Sequence, residues 1–150
     1  MEYNLTHWYG TTTEKILAWR ELRQQSIDKS IEYVVQSVNS WWAYSLWVKK
    51  TIDPYMPSSW PSPWELINKG EFCRSAIALG QAYTLWLCIP DNKVELWLIN
   101  NFSENDIHLV VVIDEKYMLN YTLGQVLNIE ECQYEVLSTV TKNDLPHIKI

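Results

Sequence analysis

Two periodicities of apolar residues divide the chain. In the first half apolar positions recur three and four residues apart, most clearly at Ile27, Ile31, Val34, Val35, Val38 and Trp42. This spacing is typical of the buried face of a helix. After Pro90 the spacing changes to two, as in a strand that buries one face. We therefore expect helices over about residues 12 to 89 and strands over about residues 93 to 141.

Local signals refine the ends of the helices. Thr11 and Glu14 form a capping box, so the first helix should begin near Thr12. A bend is expected near Ser26. The aromatic tract 41–47 either continues this helix or forms a short second one.

A Pro-rich segment follows, because residues 54 to 63 hold four of the six prolines. It cannot be helical throughout, and its aromatic residues indicate an ordered, packed loop. At its end Ser62, Pro63 and Glu65 carry the signature of a helix start, and Gly70 marks the expected stop after Lys69. A further helix should open near residue 71, carry a cysteine at position 73 in its first turn, and end before Pro90.

The second half predicts a mainly antiparallel sheet. The clearest strands are 93–99, 107–113 and 117–121, and the weaker ones are 125–129 and 134–141. Strands joined by short turns pair antiparallel, and the preceding helices should pack on them. The prediction is a single α+β domain over residues 1–150.

Charge and hydropathy exclude several classes of partner. The formal net charge is −6 and the longest basic run is Lys49-Lys50, so we expect no nucleic-acid binding. The uncharged stretch 75–90 is too short to cross a bilayer, so no membrane association is expected. The first residues lack a basic and an apolar region, which argues against a signal peptide.

The three cysteines indicate a reducing compartment. Cys73, Cys88 and Cys132 lack the close spacing of metal ligands, and any disulfide would leave one of them unpaired. We therefore expect no metal and no other cofactor.

Cys73, His108 and Asn120 form the one constellation with chemical promise. A thiol at a helix N-terminus has a lowered pKa, because free amides and the helix dipole favour the thiolate. If the turn after Ile113 is residues 114–116, Ile113 faces Tyr117. His108 and Asn120 are then diagonal neighbours on one face of the sheet. A two-residue turn would instead place them on opposite faces.

Each of the three residues also has an ordinary structural role as an alternative. A cysteine beside apolar helix residues is commonly a small core residue, and a histidine on a strand is commonly structural. Asn120 could simply bind backbone groups at a turn. Their order and placement together favour a site.

The order Cys at a helix start, His on one strand and Asn on the next resembles the transglutaminase-like and papain-like cysteine superfamily over about residues 62 to 129. The resemblance implies thiolate acyl transfer, with Cys73 as nucleophile, His108 as general base and acid, and Asn120 orienting the imidazole. No side chain for an oxyanion hole stands out, although Trp60, Trp64 or Asn68 could lie near.

A second resemblance is to a small protein of tailed bacteriophages, over about residues 38 to 128. It rests on three strings, 60–66 (WPSPWEL), 78–85 (ALG with YTL) and 116–121 (KYMLNY). It implies a phage origin, with the protein in the host cytoplasm or the virion and other particle proteins, or further copies of itself, as partners.

The composition adds an interaction hypothesis, because the chain has nine Trp and nine Tyr but only two Phe. Trp and Tyr anchor protein contacts, and a core of this size should not absorb all of them. We expect Trp8, Trp41 and Trp47 at a docking surface. The leading hypothesis is therefore a phage structural or assembly protein on a transglutaminase-like core. The alternatives are an active cysteine peptidase or amidase-type acyl transferase and, third, a carbohydrate-binding module.

Overall fold

The computed structural model describes residues 6–48 and 50–148. Its helices are α1 (Thr12–Gln25), α2 (Ile31–Ala43), α3 (Pro63–Lys69) and α4 (Arg74–Cys88). Its strands are β1 (Leu46–Trp47), β2 (Glu71–Phe72), β3 (Val94–Asn101), β4 (Asp106–Ile113), β5 (Tyr117–Leu119), β6 (Val126–Asn128) and β7 (Tyr134–Val140). Short 3-10 turns lie at Thr6–Tyr9, Pro57–Ser59, Ile129–Glu131 and Lys142–Asp144.

Five strands form one antiparallel sheet in the order β6-β5-β4-β3-β7, and β1 and β2 form a separate parallel pair. The α+β class is confirmed, with helices first and a mainly antiparallel sheet after them. The alternating pattern predicted every strand of this sheet, and each predicted strand end lies within about two residues of the observed one. The parallel pair was not predicted, because two residues are too few to show a period.

The helix ends follow their caps, with two corrections. Ser26 ends α1, and Ser30 caps a new helix, so the expected bend is a break. The second correction concerns Cys73. Because Glu71 and Phe72 pair with β1, α4 begins only at Arg74, and Cys73 is its N-cap residue rather than part of its first turn.

Both faces of the sheet are buried, one in a large core and the other in a smaller one. On β4, Leu109, Val111 and Ile113 join the main core together with α4. The alternate residues Val110 and Val112 join a smaller cluster on the other face, with Ile99, Met118 and Tyr121. Helix α4 therefore covers one face of the sheet, and the two faces follow the odd and even positions of β4.

The hairpin between β4 and β5 has the register that the three-residue turn predicts. Ile113 pairs with Tyr117, Asp114 and Glu115 both adopt a left-handed backbone, and the Lys116 amide donates to the Ile113 carbonyl over 3.0 Å. On the other side of the sheet the pairing of β3 with β7 shifts by one residue between Leu98 and Ile99.

The core absorbs most of the tryptophans, which corrects part of the docking prediction. Six of the nine are buried, among them Trp8 at 2% exposure and Trp41 at 6%. The two indoles pack at an angle against each other and against Trp42, and Trp8 and Trp42 pack edge-on against Phe72, with ring centroids 4.7–5.4 Å apart. Trp8 Nε1 donates to the Trp41 carbonyl at 3.2 Å. Trp8 and Trp41 are therefore core residues, because their rings complete an aromatic cluster between the N-terminal turn and α2. Trp47 is 56% exposed, as expected of a surface residue.

Within the described part of the chain, none of the helices combines the length and the apolar character that a bilayer span requires.

Candidate functional site

Cys73 lies where α4 begins, and its surroundings follow from the strand pairing that precedes it. Pairing of Phe72 with Trp47 brings the loop after β1 against the start of the helix. The Thr51 hydroxyl then donates to Cys73 Sγ at 3.3 Å and accepts the Cys73 amide at 3.4 Å. Cys73 is 4% exposed, so its thiol lies beneath this loop.

The hydrogen bonds around the thiol favour its ionised form. Burial raises the pKa of Cys73, but hydrogen bonds from the Thr51 side chain and from the main chain of Thr51, Ala76 and Ile52 outweigh it, so that the pKa is lowered. Burial instead raises the pKa of both Cys88 and Cys132. Cys73 is therefore the most readily ionised of the three thiols.

His108 is buried on β4, and both ring nitrogens have partners. Its Nε2 lies 3.2 Å from Asn101 Nδ2, and its Nδ1 lies 3.0 Å from the Leu109 carbonyl. The Asn101 amide is oriented by its oxygen, which accepts from the Ser103 and Glu104 amides. Asn101 Nδ2 is thus a donor, so His108 Nε2 accepts and Nδ1 carries the proton.

The charge state of His108 agrees with this tautomer. Burial lowers its pKa, and the nearby Arg74 guanidinium lowers it further. The Leu109 carbonyl, Glu104 and Asp106 oppose the shift only in part. His108 is therefore neutral near pH 7, which is the form that a general base requires.

Asn120 connects the helix to the sheet. Its backbone is left-handed, with φ of 72°, and its side-chain nitrogen donates to the Arg74 carbonyl at 2.8 Å and the Leu109 carbonyl at 2.9 Å. Its side-chain oxygen accepts from Arg74 Nε at 3.0 Å. The side chain fixes the start of α4 against β4, so Asn120 positions the two elements that carry Cys73 and His108.

The three predicted residues lie around one junction, but they do not form a hydrogen-bonded chain. His108 and Asn120 meet at the Leu109 carbonyl, which accepts from Asn120 and faces His108 Nδ1. Over residues 6–48 and 50–148 no hydrogen bond joins Cys73 to His108. The reason is the pleat, because His108 alternates with Leu109 and falls on the face away from α4.

Sequence reasoning missed Thr51, Arg74 and Asn101. Thr51 lies 22 positions before the thiol, in a loop without periodicity, so no pattern could identify it. Arg74 donates to Asn120 and Tyr121 and pairs with Glu104 at 2.9 Å. Its position directly after Cys73 was the one available signal. Asn101, and not Asn120, is the hydrogen-bond partner of the imidazole.

The three candidates for an oxyanion hole have other contacts. Trp60 Nε1 donates to the Asp53 carbonyl at 2.7 Å, Asn68 Oδ1 accepts from the Thr12 hydroxyl, and the half-exposed Trp64 packs edge-on against Trp19. Among the described residues, no group of three or more His, Cys, Asp or Glu side chains could hold a metal ion.

Comparison of the fold with solved structures gives strong matches. Calcium-bound LapG of Legionella pneumophila superposes with a TM-score of 0.76 at 18% identity, over 89% of this chain and 77% of that one. A second LapG structure gives a TM-score of 0.75, and an EGTA-treated one gives 0.74 at 19% identity, over 88% of this chain and 75% of that one. The fold resembles that of LapG.

The likeness to LapG is structural, because at 18–19% identity it concerns the fold alone. It agrees with the α+β architecture, with helices first and a mainly antiparallel sheet after them. No family model and no curated protein matches the chain.

Proposed function

We propose that the chain is a cysteine acyl-transfer enzyme of the peptidase or amidase class, with Cys73 as its nucleophile. The observation that carries the proposal is the environment of the thiol. Cys73 occupies the N-cap position of α4 in a fold that resembles that of LapG, and hydrogen bonds from Thr51, Ile52 and Ala76 lower its pKa. A thiolate, not a thiol, is the attacking species.

The proposed reaction has two steps. His108 takes the proton of the Cys73 thiol, the resulting thiolate attacks the carbonyl carbon of a peptide or amide, and an S–C bond forms. The C–N bond then breaks as the leaving amine takes this proton from His108. Water then attacks the thioester and gives a proton to His108, and as the acid leaves, His108 returns this proton to the Cys73 sulfur. Asn120 acts as a positioning residue in this scheme, because its amide bridges α4 and β4.

The proposal requires the imidazole of His108 to leave Asn101 and reach Cys73. Because His108 lies on the face of the sheet away from α4, this needs a shift of the β4 backbone and not a side-chain rotation alone. The main chain beside it is already bound to the helix, because the Leu109 amide donates to Ser75 Oγ at 3.2 Å. The residues before it, Asp106 and Ile107, are exposed at the start of β4. Catalytic hydrogen bonds are commonly loose without substrate and tighten in the complex.

Acyl transfer is tested with p-nitrophenyl acetate as the acyl donor. We expect one acetyl group per chain on Cys73, located by peptide mapping, and continued release of p-nitrophenol. Cys73→Ala should remove both signals. His108→Ala should lower the turnover rate by about 10²–10⁴-fold, the usual contribution of general acid–base catalysis. Acetylation of Cys88 or Cys132 at the rate of Cys73, or turnover unchanged in His108→Ala, would refute the proposal.

A second candidate is an assembly protein of a phage particle that uses the same fold without chemistry. The observation in its favour is that Cys73 and His108 are both almost fully buried and have no hydrogen bond to one another among the described residues. Docking would then use exposed aromatic side chains, and Trp47, the last residue of β1, is 56% exposed.

Particle association separates the two candidates. In the assembly role, Trp47→Ser should abolish co-purification with particle proteins, because an exposed Trp anchors a contact. Cys73→Ala should leave it unchanged. Trp64 is similarly exposed but lies on α3, so Trp64→Ser is the matched control and should leave co-purification unchanged. The assembly role would be contradicted if Cys73→Ala lost co-purification, or if Trp47→Ser kept it.

A further inference from the structure

Among the described residues, Thr51 is the one whose side chain hydrogen-bonds both the sulfur and the amide nitrogen of Cys73. Its Oγ1 lies 3.3 Å from Sγ and 3.4 Å from the Cys73 amide nitrogen. An amide N–H can only donate, so Oγ1 accepts from it and the hydroxyl proton remains free to point at sulfur. A thiolate can only accept, so once Cys73 is ionised the Thr51 hydroxyl is the donor.

The loop that carries Thr51 is held in place by its neighbours. Ile52 is buried in the main core at 6% exposure. The buried Trp60 donates to the Asp53 carbonyl at 2.7 Å, and the Asp53 carboxylate accepts the Tyr55 amide at 2.9 Å. The Pro-rich segment is therefore the support that keeps the Thr51 hydroxyl against the thiol.

Charged side chains do not explain the environment of the sulfur. The nearest in sequence is Arg74, whose guanidinium is directed at Glu104, Asn120 and Tyr121. The hydrogen bonds at Sγ come from a hydroxyl and from main-chain groups. Dipoles held in fixed positions can stabilise an anion without an ion pair.

We infer that Thr51 is a further catalytic residue of the Cys73 site, whose hydroxyl donates to the thiolate and holds its sulfur ready for attack. The inference rests on the proposed function for its catalytic part. Its physical content, a hydroxyl that stabilises the thiolate, can be measured without any substrate. Loss of this hydrogen bond should leave the loop in place, since Ile52 and Trp60 anchor it independently.

Thr51→Val tests the inference because it keeps the shape of the side chain and removes the hydroxyl. The rate of Cys73 alkylation by iodoacetamide is measured against pH, and the ultraviolet absorbance of the thiolate is titrated with Cys73→Ala as background. We expect the midpoint to rise by about 1–2 pH units, the effect of one charge-assisted hydrogen bond. Thr51→Ser, which keeps a hydroxyl, should restore a midpoint near the wild-type value.

The controls separate this inference from the proposed function. Cys88 alkylation should be unchanged in every Thr51 variant, because Cys88 lies at the other end of α4. Thr51→Ala gives the same comparison if Val is not tolerated. A wild-type midpoint in Thr51→Val, or an equal rise in Thr51→Ser, would overturn the role of Thr51. A raised midpoint in a protein that transfers no acetyl group would overturn the proposed function and leave the thiolate contact standing.

Discussion

Replacing Thr84 with Val is expected to lower the free energy of unfolding by about 2–5 kcal/mol. The Thr84 hydroxyl is fully buried on α4 and accepts from the indole nitrogens of Trp19 and Trp42, each at 2.9 Å, while it donates to the Gly80 carbonyl at 2.8 Å. Val fits the same space but leaves both indole N–H groups without an acceptor in the core. An unsatisfied buried donor costs about 1–3 kcal/mol.

Urea denaturation gives the measurement, and Thr84→Ser is the matched control. Serine keeps the hydroxyl and loses one methyl group, so we expect a cost of about 1 kcal/mol. The difference between the two variants isolates the hydrogen bonds that join α1 and α2 to α4. If Thr84→Val unfolds at the same urea concentration as Thr84→Ser, these hydrogen bonds do not stabilise the helix packing.

Arg74→Met is expected to lower the free energy of unfolding by about 2–4 kcal/mol and to disturb the site. The guanidinium donates to the carbonyls of Asn120 and Tyr121 at 2.8 and 2.7 Å, and Met leaves both without this partner. Asn120 then keeps its left-handed backbone with fewer contacts to hold it. Its bridge between α4 and β4 should loosen, so we also expect faster alkylation of Cys73.

Two control variants separate the contacts of Arg74 with the two carbonyls from its ion pair with Glu104. Glu104→Gln removes only the salt bridge at 2.9 Å, and since the Glu104 side chain is 34% exposed the cost should be about 0–1 kcal/mol. Arg74→Lys keeps the charge but cannot reach several acceptors at once. We therefore expect it to lower the free energy of unfolding by more than Glu104→Gln and by less than Arg74→Met. Thermal or urea unfolding that ranks Glu104→Gln level with Arg74→Met would show that the ion pair, not the carbonyl contacts, matters.

The strand half of the fold could be predicted closely from the sequence because its signals are local. The change to a period of two marks where the strands lie between Val94 and Val140, and a single turn sets the register of β4 and β5. The burial of Trp8 and Trp41 could not be predicted in this way. It depends on three segments of the chain meeting in one aromatic cluster, and periodicity in one segment does not report such a meeting.

The sequence could predict that Cys73, His108 and Asn120 lie near one another, but not which hydrogen bonds each of them makes. Cys73, His108 and Asn120 do surround one junction, and the predicted register is the observed one. The left-handed backbone of Asn120 turns its amide to the helix, and no feature of the sequence before it indicates that conformation. Thr51 and Asn101 reach the site from loops and strand ends, where distance along the chain says little about distance in space.

The shift in pairing between β3 and β7 bears on how copies of this protein meet in solution. Strand β7 lies at one edge of the sheet, with Val136 and Leu137 exposed at 42% and 40%, and an edge of that kind invites pairing with another chain. Leu137 is the residue without a partner on β3, so it bulges the strand midway along its length. A strand of a second copy could form backbone hydrogen bonds with β7 over only a few residues before the bulge interrupts them. The bulge therefore disfavours the continuous strand pairing on which fibrils depend.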